Sequence, residues 1–469
     1  MDYTLSMSGE QYRILKAHLL PGDGKEAAAL GLCGRRAGSQ RERLLLRKIM
    51  LIPHDLCTRR SKDSIEWETD LMVELLEEAR KQGLSVVKFH SHPGGYARFS
   101  QQDDKSDGRL FPAITEWVES KVCHASVIML GNGRMFGRAV TRAGFQPLSM
   151  VAVAGDDLHF WHHDQVTREL HDLQALPAFT KRHAKAFGEV TTRTLTRLRV
   201  AVIGASGTGS FVIEELVRLG VGHIVIVDPD AVEDVNLNRI LNATMADAAA
   251  GRKKVDVAAG TILRIGLNTT VEVFPTNLYD PAAVRAVAGC DAVMGCVDSA
   301  EGRYLANRLA TFYVMAYIDV GVALEADDAG AITQVCGYVH YIQPGRSSML
   351  SRGAITMEQV SAEGLRRQNQ DQYAQLRGEG YISNVTESRP AVISVNGVMA
   401  SMAVNELLAR LHAYRDEPNS QYAILGISLS QARFYPEPEP GTPCKILTRH
   451  LGRGDTTPLL DLPELSDDV

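Results

Sequence analysis

The sequence predicts an α/β protein with two domains, the second of them built on a mostly parallel sheet. Three observations lead there. At 469 residues the chain exceeds what a single core fills. Apolar strands mix with one amphipathic helix as far as residues 150–160, and from Leu198 onward strands and helices alternate regularly. A glycine-rich turn joins the first strand of that second region to its helix.

Residues 44–53 read as a strand. Trp67, Leu71, Leu75, Leu76 and Ala79 recur at helical spacing, and Gly83 ends the helix they predict. Residues 85–89 form a short apolar run, a buried strand that delivers His90 and His92 to its carboxyl end. Residues 125–130, the turn Gly131-Asn132-Gly133 and residues 134–140 predict a hairpin. The polar stretch 156–196 carries His159, His162, His163, His171 and His183 without a repeated helical spacing, so it reads as a linker with a leading helix. Residues 199–203, the turn Gly204-Ala205-Ser206-Gly207-Thr208-Gly209, a helix to Leu219 and a strand at 224–228 make a βαβ unit. Further strands are expected at 271–274, 292–296 and 317–320. Within 391–411, Met399, Met402, Leu407, Leu408 and Leu411 form a stripe suited to core or dimer packing. The tail 435–469, rich in proline and acidic residues, is expected to be extended or loosely docked. The segments implied are 1–155, 156–196, 197–434 and 435–469.

A net charge of −6 gives no electrostatic reason to expect nucleic acid, because phosphate backbones call for a basic face. The start of the chain has no basic and apolar leader, and no run is apolar enough for a membrane span. Seven cysteines, an odd number with no CxxC pair, argue for a reducing cytoplasm rather than a disulfide framework.

His90 and His92 stand two apart, so on an extended segment their rings point the same way. Asp103 can return to them from the next turn or helix. Two imidazoles and a carboxylate would leave one tetrahedral position of a zinc ion for water, whose pKa then falls towards about 7. The pattern His90-Ser91-His92-Pro93, six residues, then Ser100 and Asp103 resembles the JAMM (JAB, MPN-plus) metallopeptidase family. That resemblance implies an α/β metalloprotease domain with one Zn²⁺ on His90, His92 and Asp103. It also implies that Glu26 shuttles a proton between water and leaving amine, and that Ser100 donates to the developing oxyanion.

A glycine-rich turn brings backbone N–H groups against phosphate at a helix N-terminus. Asp228, nineteen residues beyond Gly209, suits the ribose of NAD as well as of ATP. The residues downstream separate the two: Asn236, Arg239, Lys254 and the triplet Cys296-Val297-Asp298 form a series that resembles the E1/ThiF/MoeB adenylyltransferase family over residues 180–415. The resemblance implies a Rossmann-like domain in which Gly204, Gly207 and Gly209 cradle phosphate and Asp228 holds the ribose. Arg239 and Lys254 would hold phosphates with help from Asn236, and Asp298 would bind Mg²⁺. Arg182 falls where the family has an arginine reaching a neighbouring subunit's ATP, which implies a homodimer.

Two departures from the family stand out. Ser206 occupies its second glycine position, a change the turn tolerates if φ stays negative. Ser348, Ser351 and Leu447 occupy cysteine positions of the structural zinc site found in many relatives, leaving only Cys444, so no structural zinc is expected. Cys290, Cys296 and Cys336 lie in or beside core strands, and no thioester cysteine is identifiable among them.

The expected whole is a zinc peptidase fused to an adenylating domain, both acting on the C-terminus of one ubiquitin-like protein. This resembles bacterial ubiquitin-like conjugation systems, some of them associated with phage defence, in which an E2-like protein is a candidate partner. Sulfur-carrier activation for cofactor or amino-acid synthesis is the alternative. A scaffold with one degenerate site is the third reading.

Overall fold

The computed structural model describes residues 1–119, 122–168, 173–326, 332–379 and 392–466. They divide into two units, Met1–Leu176 with Phe312–Val314 and His450–Thr456, and Pro177–Thr311 with Met315–Arg449 and Thr457–Val469.

The first unit runs β1 (Asp2–Ser8), α1 (Gly9–Leu19), β2 (Ala28–Arg36), β3 (Arg41–Leu51), β4 (Cys57–Arg60), β5 (Ile65–Trp67), α2 (Val73–Gln82), β6 (Ser85–His92), α3 (Gln101–Val118), β7 (His124–Leu130), β8 (Met135–Thr141), β9 (Gly144–Ala154), β10 (Leu158–His162) and α4 (His163–Thr167). Its sheet has the order β1-β3-β2-β6-β7-β8-β9-β10, and β9 also pairs with β1, so the sheet curls back on itself. β6 is buried along its whole length. Its Val87 and Phe89 join Leu15 and Leu19 of α1 on one side of the sheet. Val86 packs on the other side with Leu75, Leu76 and Ala79 of α2 and Phe111 and Ile114 of α3. The period of two therefore places His90 and His92 on the α3 face.

Two expectations for this unit change. Trp67 does not begin a helix: it pairs with Cys57 in the β4–β5 ribbon, and a short 3₁₀ turn at Thr69–Met72 precedes α2. Local helical spacing was outweighed there by a hairpin whose partner strand lies nearby in sequence. Gly83 does end α2, in the left-handed conformation at φ +63°. The second change lies in the supposed linker, where Leu158–His162 is a strand paired with β9. Leu158 and Phe160 are buried, while His159 stacks on Trp161 at 5.0 Å. His171 lies outside the described residues.

The second unit contains α5 (Lys181–Leu195), β11 (Arg199–Ile203), α6 (Gly207–Arg218), β12 (His223–Val227), α7 (Met245–Ala249), α8 (Lys254–Ile265), β13 (Thr270–Phe274), α9 (Pro281–Val287), β14 (Ala292–Gly295), α10 (Ala300–Phe312), β15 (Ala316–Ala326), β16 (Ile332–Ile342), α11 (Met357–Gln368), α12 (Gln370–Gly378), α13 (Ile393–Leu411), β17 (Ile424–Ser428) and β18 (Arg433–Glu437). The order is β13-β12-β11-β14-β15-β16-β17-β18. The first five are mutually parallel, as α/β crossovers require, and the last three add antiparallel. α13 packs on α6 and β15. Met399, Leu407 and Leu408 of its stripe are buried, which makes them core residues; residue 391 lies outside the described residues.

The C-terminal segment is firmly held rather than loosely docked. Its Cys444, Leu447, Leu459, Leu460 and Leu465 are buried. Ser348 and Ser351 bond each other across the loop, Ser348 N to Ser351 Oγ at 2.8 Å and Ser351 N to Ser348 Oγ at 3.1 Å. Beside them the buried guanidinium of Arg352 reaches Ser347 Oγ, Ala423 O, Tyr341 O and Glu439 Oε2 at 2.7–3.0 Å. This one guanidinium joins the loop, β16, the residue just ahead of β17 and the tail. Glu439→Gln removes the carboxylate bonded to the buried Arg352 guanidinium, and about 3–5 kcal/mol of unfolding free energy is expected to be lost. Denaturant titration checks this, and an unchanged midpoint would contradict it.

Candidate metal centre and nucleotide cavity

β6 supplies two imidazoles and the first turn of α3 supplies a carboxylate. His90 Nε2 lies 3.2 Å from His92 Nε2. Asp103 Oδ1 is 3.0 Å from His90 Nε2, and Oδ2 is 3.4 Å from His92 Nε2. A tetrahedral ion with ligand bonds of about 2.0 Å has ligand-to-ligand edges of about 3.3 Å, so the spacing fits one zinc. Tyr96 O lies 2.8 Å from His92 Nδ1, so that nitrogen carries the ring proton and Nε2 keeps its lone pair facing the centre. Among the described residues this is the one grouping of three or more histidine, cysteine or acidic side chains with metal-ligand spacing.

Glu26 sits just ahead of β2, with Oε1 3.8 Å from His92 Nε2. Burial, opposed by His92, pushes its carboxyl up to about 7. Burial also works against ionised Asp103, but the neighbouring His90 and His92 outweigh it and hold that carboxyl well below the usual range. The two carboxyls are thus pushed in opposite directions, Asp103 downward and Glu26 upward.

Several supports lie outside the sequence-derived set. Ser91, between the two ligands and facing the other way, accepts from Ala27 N at 2.9 Å and donates its own N–H to Ala27 O at 3.1 Å. It therefore fixes the residue next to Glu26. Lys88 forms a buried ion pair with Asp107, which also accepts from Arg138 Nη2 at 2.8 Å. Arg138 lies 3.9 Å from the ring centres of both Phe99 and Phe145. This network ties α3 to β6, and so Asp103 to the histidines.

Ser100 has a different place from the one implied for it. It is the N-cap of α3: Asp103 N donates to its Oγ at 3.1 Å, and its hydroxyl donates to Asp103 Oδ2 at 2.8 Å. Its backbone N–H and its hydroxyl both reach Asp103 Oδ2, at 2.7 and 2.8 Å.

In the second unit a cavity of ≈ 470 Å³ opens at the carboxyl ends of the parallel strands. Gly204, Gly207, Asp228, Asn236, Arg239, Lys254 and Asp298 all line it. Gly204 has φ +96°, and a Cβ there would meet Cys296 O at 2.6 Å. Ser206 keeps φ at −86°, so serine in place of glycine carries no strain. Gly209 does not reach the cavity: a Cβ would stand 1.9 Å from Gly204 O, so this glycine packs the turn against the helix instead.

Asp228 accepts from Ala205 N at 2.7 Å and Asp230 N at 2.9 Å, and burial raises its carboxyl above the ordinary value. Lys254 Nζ pairs with Asp230 Oδ2 at 2.7 Å. The exposed carboxylate of Asp298 gives the cavity a hard oxygen donor of the kind Mg²⁺ takes. Arg303 and Asn396, absent from the sequence-derived set, complete the walls. Arg303 Nε lies 3.2 Å from the buried Asp319, which Tyr317 OH also reaches at 2.6 Å. Burial, then Asp319, pushes the Cys296 thiol upward, which keeps it protonated. Arg182 is exposed on α5 and does not line the cavity.

The ThiF family model matches residues 180–444, more than half of the chain. The chain belongs to the ThiF family. In front of the ThiF region, residues 10–142 match the model described as prokaryotic homologs of the JAB domain, so a JAB-like domain is joined to a ThiF/E1-like one. A relative, ubiquitin-like modifier-activating enzyme 5 of Caenorhabditis elegans, is 31% identical over 160 residues, 32% of this chain and 36% of that protein. The adenylyltransferase and sulfurtransferase UBA4 of Meyerozyma guilliermondii is 34% identical over 129 residues, 27% of this chain and 30% of its own length. The matches thus span about a third of these relatives. The crystal structure of E. coli MccB with ATP aligns at 19% identity over 58% of this ThiF chain and 74% of that one, with a TM-score of 0.43. No helix among the described residues is long and apolar enough to cross a membrane.

Proposed function

We propose that this chain processes and activates the C-terminus of a ubiquitin-like or sulfur-carrier protein, by zinc-dependent hydrolysis in the first unit and ATP-dependent adenylation in the second. The observation that carries the reading is that His90, His92 and Asp103 stand at metal-ligand spacing while Asp228, Asn236, Arg239, Lys254 and Asp298 line one cavity. His90, His92 and Asp103 would hold Zn²⁺. A zinc bound there supplies a Lewis acid and a water acidified to near neutrality. Glu26 takes a proton at its carboxylate and returns it to the leaving amine, a task suited to a group near pH 7. Ser100 and Ser91 orient Asp103 and the Glu26 segment respectively.

In the adenylating unit the N–H groups at the start of α6 receive phosphate. Attack of a carboxylate on the α-phosphate brings anions together, and Lys254 and Arg239 offset that repulsion. Lys254 exchanges Asp230 for phosphate, Asn236 assists, Asp228 holds the ribose and Asp298 would bind Mg²⁺. Arg182, exposed on α5, reaches the cavity of a second copy in a homodimer. The pathway we favour is a prokaryotic conjugation system in the cytoplasm, with an E2-like acceptor of the activated terminus. The similarity to UBA4, an adenylyltransferase and sulfurtransferase, favours sulfur transfer as the second reading.

Intact-mass spectrometry tests both halves at once. A candidate partner bearing a C-terminal extension is incubated with the full chain, Zn²⁺ and MgATP. The expected products are the trimmed partner and its acyl-adenylate. An extension left in place, with no AMP adduct, would sink the reading, and a thiocarboxylate formed with a sulfur donor would turn it to the sulfur-carrier pathway.

A further inference from the structure

One wall of the nucleotide cavity comes from an element outside the motif series. Asn396 lies in the first turn of α13, its residue 4% exposed, and its carboxamide makes no hydrogen bond among the described residues. Asn396 lines the cavity, so a carboxamide with no protein partner there is free to bind a ligand that enters it. The location says which kind. A Cβ built on Gly207 would stand 2.2 Å from Asn396 Nδ2 and 3.2 Å from Arg239 Cδ. The carboxamide and the arginine therefore converge on the same glycine.

Gly207 is the first residue of α6, so this is also where unpaired backbone N–H groups and the positive end of the helix dipole meet. The groups converging there are donors, and the complement of such a corner is an anionic oxygen. The approach of α13 that brings Asn396 so close rests on its neighbour. Gly397 presents no side chain to Phe211 of α6, and a Cβ there would stand 3.1 Å from Phe211 Cε1.

We infer that Asn396 donates an Nδ2 hydrogen to a phosphate oxygen of ATP seated on the glycine turn, so that α13 forms a second phosphate-binding wall beside Arg239. This rests on the reading of the cavity as an ATP site. Gly207 is then required to be glycine because Asn396 occupies its side-chain space.

The test compares binding of ATP and of adenosine to the full chain by calorimetry, for the wild type, Asn396→Ala and the isosteric Asn396→Asp. Asn396→Ala is expected to weaken ATP by about tenfold, as loss of one hydrogen bond to a charged group does, and to leave adenosine unchanged. Asn396→Asp turns a donor into an anion facing phosphate, so its ATP affinity should fall further with adenosine again unchanged. Equal losses for ATP and adenosine would assign Asn396 to packing and overturn the inference. So would variants that bind ATP as the wild type does. A wild type that binds no ATP would instead overturn the reading of the cavity itself, and the inference with it.

Discussion

Glu26→Gln is expected to reduce hydrolysis by about 10²–10⁴-fold while ATP–pyrophosphate exchange stays at the wild-type rate. The substitution keeps the shape of the side chain and removes a carboxyl that burial pushes up to about 7. Glutamine cannot take up the proton that the attacking water must lose. Glu26 Oε1 stands 3.8 Å from His92 Nε2, and the glutamate is not one of the three ligand residues, so bound zinc measured by atomic spectroscopy should remain stoichiometric. That combination separates a proton shuttle from a metal ligand. A variant that loses zinc together with activity would assign Glu26 to coordination, and one that cleaves normally would remove it from the mechanism. Loss of pyrophosphate exchange as well would mean the two sites are not independent.

Asp298→Ala is expected to give the converse: exchange falls by about 10²–10³-fold, and hydrolysis of the extended partner continues unchanged. The residue is exposed at the cavity wall, so its removal leaves no buried partner unsatisfied and the fold is retained. What disappears is the carboxylate that would anchor Mg²⁺ beside the reacting phosphates. Raising the Mg²⁺ concentration should recover part of the rate, since a weaker site is filled by mass action. Exchange at the wild-type rate in Asp298→Ala would place the metal elsewhere.

The histidine pair and the acid downstream were legible because their geometry is local. Two residues on a strand share a face, and the cap Ser100 and Asp103 lie within one helical turn of each other. The glycine turn and Asp228 were legible for the same reason, since one strand–helix–strand unit contains both. Roles are less visible than positions. Ser100 reads as an oxyanion donor by resemblance, yet its hydroxyl orients Asp103, a relation that only the capping geometry reveals.

By itself the sequence determined the α/β class, the joining of a JAB-like to a ThiF/E1-like domain and most of the residues grouped at the two candidate sites, because strand and helix periods and ligand spacings are properties of short segments. Tertiary structure alone decided what surrounds those residues. Ser91 reaches Ala27 through the pairing of β2 with β6, and Lys88 meets Asp107 and Arg138 only once α3 lies on the sheet. Asn396 comes to Gly207 because Gly397 lets α13 settle on α6. Each of these meetings joins residues far apart in the chain, so it depends on sheet order and close packing, which no local periodicity encodes.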